Sequence, residues 1–131
     1  MASSVKELMA AANAAVAKIS TEEVKRLVAD KNALLLDVRD APELEATGKV
    51  PGALHVSRGM LEFRADPESP YYNAAFERDR PVIVYCASGG RSALAGKVLK
   101  DFGYAEVYNL GGFKDWVEQG GEVEPVVDTG M

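Results

Sequence analysis

Short apolar runs alternate with helix-like segments along most of this chain. The runs cover residues 33–38, 53–56, 82–85 and 106–110. Each run is too short for a helix and is typical of a buried strand. Strands that alternate with helices form a parallel sheet with helices packed on both faces. The sequence therefore predicts an α/β fold, with one three-layer α/β/α domain around a central, mainly parallel sheet.

The segments around these runs set the expected limits of the domain. Apolar residues recur at helical spacing from Val5 to Ile19, which indicates an extra N-terminal helix. Ser20 and Glu23 have the spacing of a capping box, so a second helix begins there. Residues 71–78 are also expected to be helical. The predicted division is a helical extension over residues 1–19, the main domain over residues 20–121 and a C-terminal tail over residues 122–131.

Length, charge and composition limit the classes of partner. The chain has 131 residues, 47% of them hydrophobic, which is enough for one domain with a substantial core. The formal net charge is −5 and no block of Lys and Arg stands out, so no nucleic-acid partner is expected. No segment is long enough to span a membrane, so no membrane partner is expected either. The Ala-rich N-terminus also fits a weak signal peptide, although Glu7 and Asn13 interrupt it. We expect a cytoplasmic protein, with a periplasmic location left open.

Cys86, the only cysteine of the chain, is its most informative residue. It follows the strand-like run 82–85 and begins a glycine-rich turn that leads through Arg91 into a helix-like segment. Open α/β sheets bind ligands at the carboxyl ends of strands, where helix N-termini and free backbone amides attract anions. A thiol in such a field shifts toward the nucleophilic thiolate. The alternative is a small buried hydrophobic residue beside an ordinary turn.

Asp37 and Arg39 form a second candidate group. Asp37 and Cys86 each end a strand, and the ends of parallel strands meet at one edge of the sheet. Asp37 and Arg39 are therefore candidates for a polar frame around the Cys86 loop, with Asp37 as a partner for the Arg91 guanidinium. In the alternative, Asp37 caps a turn and Arg39 is solvated. Arg58 either supports the rim of the same pocket or is a scattered surface charge.

Metal and cofactor sites are not expected. The chain contains one cysteine and one histidine, His55, which give no cluster with the spacing of metal ligands. His55 is expected to pack its ring within a strand rather than to act as a catalytic base. The sequence therefore predicts no metal site and implies no cofactor.

Four motifs carry a resemblance to a known family. They are Leu36-Asp37-Val38-Arg39, Val50-Pro51-Gly52-Ala53, Cys86-Ala87-Ser88-Gly89-Gly90-Arg91-Ser92 and Asn109-Leu110-Gly111-Gly112-Phe113. Their order and spacing resemble those of the single-domain rhodaneses over about residues 20–121. The resemblance implies a central parallel sheet of about five strands. It also implies a sulfurtransferase that carries sulfur as a cysteine persulfide.

The resemblance also assigns site residues by position. It implies that Cys86 is the nucleophile and that Asp37 and Arg39 frame its loop. The loop, which would bind the substrate, consists of Ala87, Ser88, Gly89, Gly90, Arg91 and Ser92. Arg91 is the only cation in this loop.

The implied reaction moves one sulfur atom between small molecules. The Cys86 thiolate takes the outer sulfur of thiosulfate or of a persulfide donor and passes it to cyanide or to a thiol, including a thiol on another protein. One alternative is a carrier or binding module that holds the persulfide for a partner protein without turnover. A less favoured alternative is a phosphatase or arsenate reductase of related fold. In the pattern typical of those phosphatases, five residues lie between the cysteine and the arginine. In this chain, four residues lie between Cys86 and Arg91.

Overall fold

Five short strands and six α-helices make up the fold. The computed structural model describes residues 3–126. The strands are β1 (Ala17–Lys18), β2 (Leu34–Asp37), β3 (Leu54–His55), β4 (Val82–Cys86) and β5 (Val107–Gly112). The helices are α1 (Val5–Ala15), α2 (Thr21–Lys31), α3 (Ala41–Thr47), α4 (Leu61–Ala65), α5 (Gly90–Asp101) and α6 (Phe113–Glu118).

All strand pairs in the sheet are parallel, in the order β1-β5-β4-β2-β3. Asp37 at the end of β2 is in register with Tyr85 of β4, one residue before Cys86. The pairing of β4 with β5 is shifted after Val84, which pairs with Asn109, because the next pair joins Tyr85 to Gly111. This bulge leaves one extra residue on β5 and changes the direction of its end, next to Cys86.

Apolar side chains pack on both faces of the sheet. One cluster joins strand residues such as Leu36 and Val84 to α4 and α5, through Leu61 and Leu99. The other cluster lies on the opposite face of the sheet. Its main members are Val24, Leu35, Val50, Ile83, Tyr85, Phe113 and Trp116. Alternate residues of β4 therefore point to opposite helical layers. The three-layer α/β/α fold with a five-stranded parallel sheet is confirmed.

Local sequence signals explain where the helices begin. Ser20 and Glu23 form the expected capping box, in which each side chain binds the backbone amide of the other residue. Helix α3 begins next to Pro42, a residue suited to the first helical turn. The expected helix over residues 71–78 is wrong, because this segment consists of turns. There the Asn73 side chain accepts a hydrogen bond from the amide of Ala75, which competes with helix formation.

Residues near both ends of the described range contact the domain. The first helix ends at Ala15, earlier than the apolar spacing indicated, and Ala17–Lys18 continues as the edge strand β1. The tail contacts the domain through Trp116, whose indole Nε1 donates to the carbonyl of Glu122, and through a bridge between Lys49 and Glu124. The domain limits at residues 20 and 121 stay a prediction. No helix in the described part of the chain is long and apolar enough to cross a membrane.

Candidate active site

Cys86 ends β4 at the carboxyl edge of the sheet, as the sequence predicts. Its side chain is 1% exposed, and the turn after it runs directly into α5 at Gly90. The Sγ atom lies 3.0 Å from the amide nitrogen of Gly89 and 3.4 Å from both the amide nitrogen and the hydroxyl oxygen of Ser92. The loop therefore wraps around the sulfur and directs backbone N–H groups toward it.

These hydrogen bonds determine the ionisation of the Cys86 thiol. Burial by itself raises the pKa, because the charged form loses its hydration. The Ser92 hydroxyl and the amides of Ser92, Gly89 and Ser88 oppose that effect, and the net result is a Cys86 pKa below its ordinary value. The site thus favours a thiolate at a position where the sheet and the loop exclude most water.

Asn109 on β5 fixes the Ser92 hydroxyl. The Asn109 Oδ1 atom accepts hydrogen bonds from the Ser92 hydroxyl at 2.7 Å and from the Gly111 amide at 2.8 Å. Its Nδ2 atom donates to the carbonyl of Gly89 at 3.4 Å. Asn109 is 1% exposed, and its hydrogen bonds satisfy this buried amide while they connect β5 with the loop. Its role was not predicted, although one amide within an otherwise apolar strand is a detectable signal.

Two glycines permit the close packing of the loop against β5. Gly89 has φ +106°, a conformation that side chains disfavour, and a Cβ there would also lie 3.4 Å from the Cα of Gly111. A Cβ on Gly112 would lie 2.5 Å from the carbonyl oxygen of Ala87, which is too close for any side chain. The pair Gly111-Gly112 belongs to the end of β5.

Arg91 lies in the first turn of α5 and pairs with Glu43 of α3. Both terminal nitrogens of the guanidinium donate to the two carboxylate oxygens at 2.8 Å. Hydrogen bonding to Arg91 lowers the pKa of Glu43 to about 2, so the pair stays ionised throughout the neutral range. The expected partnership of Arg91 with Asp37 is wrong, because Asp37 is held by Arg39 instead.

Asp37 and Arg39 form a buried ion pair at the carboxyl end of β2. The carboxylate is fully buried and the Arg39 side chain is 2% exposed. Arg39 Nε and Nη2 donate to Asp37, Nη2 also donates to the Gly48 carbonyl, and Nη1 donates to the Thr47 hydroxyl. The guanidinium also lies 4.5 Å from the centre of the Phe113 ring. The pair connects β2 to Thr47 at the C-terminal end of α3. Glu43 lies in the first turn of the same helix.

The other predicted residues occupy distinct positions. Ala87 and Ser88 are exposed at the top of the loop, and Gly90 begins α5. The Arg58 side chain pairs with Glu62 four residues on, and none of its described hydrogen bonds reaches the loop. The His55 ring nitrogen Nε2 is bonded to the Arg39 carbonyl at 2.6 Å. Within residues 3–126, no three His, Cys, Asp or Glu side chains lie close enough to hold a metal ion.

A groove of about 570 Å³ adjoins the loop at Ala87. Apolar and charged side chains both line this groove. The lining residues are Arg39, Glu43, Ala46, Thr47, Ala87, Phe113, Lys114, Val117 and Glu118. Val117 of α6 is 44% exposed there. A second depression, between α2 and α6, is lined by Val24 and Trp116 and does not include any residue of the loop.

Comparison with known proteins agrees with this geometry. A family model for the rhodanese-like domain matches residues 20–119. A sulfurtransferase of Allochromatium vinosum is 36% identical over 107 residues, which cover 80% of this chain and 92% of that protein. The thiosulfate sulfurtransferase GlpE of Coxiella burnetii is 33% identical over 100 residues, which cover 76% of this chain and 85% of that protein.

A solved structure from Rhodopseudomonas palustris has the same fold over nearly the whole chain. It is described as a protein of unknown function and possible tyrosine phosphatase. The TM-score is 0.86 at 36% sequence identity, covering 95% of this chain and 96% of that one. Two of these relatives are named as sulfurtransferases, so sulfur transfer is supported at the level of the family. The family match spans most of the chain, which therefore belongs to the rhodanese family.

Proposed function

We propose that this protein is a sulfurtransferase that moves a sulfane sulfur from thiosulfate or a persulfide donor to cyanide or a thiol. Cys86 is the catalytic residue and carries the sulfur as a persulfide. The observation that carries the proposal is the set of N–H groups around Sγ, which lower the pKa of the Cys86 thiol. The acceptors we propose are small thiols, cyanide and the thiol of a partner protein.

The first half-reaction loads the enzyme. The Cys86 thiolate attacks the outer sulfur of thiosulfate, a new S–S bond forms, and the donor S–S bond breaks. Sulfite leaves with the electron pair, and the negative charge moves to the outer sulfur of the persulfide. Because the thiol is already ionised, no separate general base is needed. The second half-reaction passes the outer sulfur to the acceptor and returns the Cys86 thiolate.

The loop supplies preorganised donors for both steps. The amides of Gly89 and Ser92 already face Sγ, so little reorganisation is required as charge shifts along the S–S bond. We propose that Ala87 to Ser92 bind the donor through backbone N–H groups. Arg91 acts at a distance, by holding the start of α5 to Glu43. Asp37 and Arg39 support the loop from below, whereas we assign Arg58 no role in the chemistry.

Phosphatase activity is the enzymatic alternative, since one structural relative is described as a possible tyrosine phosphatase. Such an enzyme would need room for a tetrahedral oxyanion and a guanidinium turned toward it. Here four residues separate Cys86 from Arg91, and Glu43 occupies both terminal nitrogens of that arginine. Both observations favour transfer of a single sulfur atom. We therefore expect negligible hydrolysis of aryl phosphates by the purified protein.

The direct test is intact mass after exposure to a donor. Protein treated with thiosulfate or a hydropersulfide and then desalted should gain the mass of one sulfur atom. Cyanide should remove that mass, and Cys86→Ser should never acquire it. Repeated release with donor and cyanide present distinguishes a turnover enzyme from a carrier, which would discharge only once. A sulfur found on the serine variant, or phosphatase activity that depends on Cys86, would contradict the proposal.

A further inference from the structure

We propose that Glu43 determines which sulfur donor the site prefers. This inference rests on the sulfur-transfer function proposed above and names the donor class. Glu43 holds the only side-chain cation of the loop, Arg91, and so withholds it from a bound donor. The preferred donor is then a hydropersulfide of an organic thiol with an apolar body, rather than the inorganic dianion thiosulfate.

Arg91 and Glu43 form a closed ion pair beside the loop. Two hydrogen bonds of 2.8 Å join the two side chains end to end, and both are about one-third exposed. Glu43 Oε2 also accepts the amide of Asp40 at 2.8 Å, which fixes the carboxylate at the start of α3. A donor anion near the loop therefore meets a neutral pair. Releasing Arg91 to bind that anion would leave the Glu43 carboxylate without its partner.

The other cations that line the groove are Arg39 and Lys114. Arg39 is bonded to Asp37, Thr47 and the carbonyl of Gly48. The Lys114 ammonium is mostly exposed and lies 3.9 Å from the Glu118 carboxylate. Each positive side chain that lines the groove thus has a carboxylate partner. A dianion would depend on the loop amides alone, whereas a hydropersulfide carries no charge when protonated and a single negative charge when ionised, so it needs less charge compensation.

The groove offers apolar surface to a bound donor. Ala46, Phe113 and Val117 give its lining an apolar character, and Ala87 connects it to the loop that covers Cys86. Thiosulfate has no apolar part that would bury this surface. An organic hydropersulfide has one, and burying its apolar carbons against the groove adds favourable binding free energy. The groove volume of about 570 Å³ accommodates an organic group of modest size.

The loading step with this donor balances without any further reactant. The Cys86 thiolate attacks the outer sulfur of R–S–SH, forming Cys86–S–SH and breaking the donor S–S bond. The organic thiolate leaves with the electron pair and takes a proton from solvent. The outer sulfur keeps its own proton, and the oxidation level of the sulfane sulfur is conserved.

The first experiment uses thiosulfate and benzyl hydropersulfide as donors. Sulfur loading of Cys86 is followed by intact mass, and each rate is divided by the rate of the same donor with a small free thiol. We expect the wild-type protein to favour benzyl hydropersulfide. Glu43→Gln removes the charge that neutralises Arg91, so thiosulfate loading should rise by about tenfold, which lies between the effects of one charge–charge contact in water and near a protein surface. Loading by benzyl hydropersulfide should not rise with it, so the ratio of the two loading rates shifts toward thiosulfate even if a weaker contact between α3 and α5 slows both, and thermal unfolding checks that the variant is folded.

The second experiment tests the groove without changing any charge. Val117→Ser reduces its apolar surface and should slow loading by benzyl hydropersulfide several-fold, while thiosulfate loading stays the same. Val5→Ser is the matched control, since Val5 is also an exposed helical valine, at 70% exposure, and does not line the groove. It should leave both rates unchanged.

The possible outcomes separate this inference from the proposed function. If wild-type protein loads equally well from both donors, or if Glu43→Gln leaves their ratio unchanged, the role of Glu43 is refuted and sulfur transfer stands. If slowing by Val117→Ser is equal for both donors, the groove does not select the organic group. If neither donor adds sulfur to Cys86, the proposed function fails along with the donor preference.

Discussion

At the scale of single residues, the reactivity of Cys86 depends on hydrogen atoms that other residues supply. Ser92 supplies the only side chain among the groups that lower the pKa of Cys86. In the neutral state the thiol donates to the Ser92 hydroxyl oxygen at 3.4 Å, and the hydroxyl itself donates to Asn109 Oδ1 at 2.7 Å. When the thiol ionises, the hydroxyl hydrogen is attracted to the negative sulfur. Because the folded-state pKa of Cys86 is lowered, the thiolate contributes stability above the unfolded-state pKa, and that contribution is lost as the pH falls through the folded-state pKa.

Ser92→Ala should therefore raise the pKa of Cys86. The rate of iodoacetamide alkylation measured against pH gives the midpoint, which for the wild type should lie below the value of about 8.5 of a free thiol. In the variant the midpoint should move upward, because one donor to the thiolate is lost. Ser88→Ala is the control, since Ser88 acts on Cys86 through its backbone amide alone. An unchanged midpoint in Ser92→Ala would show that the hydroxyl stays with Asn109 in both states.

The position of Cys86 at the end of a strand was predictable from the sequence, whereas the contacts that support its loop were not. Cys86 and Arg91 stand in a local pattern of strand, glycines and helix, which can be read along the chain. Glu43 lies 48 positions from its partner Arg91, on another helix. Nothing in the local sequence distinguishes Glu43 from Asp37 as that partner. Only the three-dimensional packing shows that Arg39 already occupies Asp37.

At the scale of secondary structure elements, the end of β5 supports the active-site loop. The strand reaches Gly112 after a bulge, and there its backbone lies against the carbonyl of Ala87. We expect Gly112→Ala to push the loop away from β5, destabilise the protein by about 1–3 kcal/mol and reduce sulfur transfer at least tenfold. Chemical unfolding and a cyanide-coupled assay measure both effects.

Gly59→Ala is the matched control for that substitution. A Cβ at Gly59 meets nothing within 4 Å, and this residue lies in a short 3-10 turn away from the loop. The control should keep the stability and activity of the wild type. If Gly112→Ala behaves in the same way, the contact between β5 and the loop does not position Cys86.

Elements with strong local signals were predictable, and those held by distant contacts were not. The capping box of α2 and the proline of α3 act within one helical turn. The turns over residues 71–78 depend, beyond the local Asn73 bond, on burial of Phe76 against Tyr104, which lies 28 positions away in the sequence (104 − 76). The bulge in β5 depends on pairing with β4, which the sequence of β5 alone does not determine.

At the scale of the whole molecule, the Asp37–Arg39 pair is a buried charge cluster that connects β2, α3 and the ring of Phe113. Asp37→Ala leaves a buried guanidinium without its carboxylate, so it should lower the free energy of unfolding by about 3–5 kcal/mol. Urea unfolding provides the measurement. Asp101→Ala breaks the exposed pair with Lys97 and should cost no more than about 0.5 kcal/mol. Equal losses in the two variants would mean that burial adds nothing to the pair.

The burial of the Cys86 sulfur decides which of two sulfur atoms an acceptor attacks. In the proposed persulfide, the inner sulfur keeps its place under the loop, where the side chain is 1% exposed. The outer sulfur is one S–S bond farther from the backbone, about 2 Å. An incoming thiol that attacked the inner atom would form a mixed disulfide with the protein and expel hydrogen sulfide. Attack on the outer atom regenerates the protein and hands over the sulfur intact. In the proposed mechanism, the loop would therefore favour transfer of the outer sulfur over loss of sulfide.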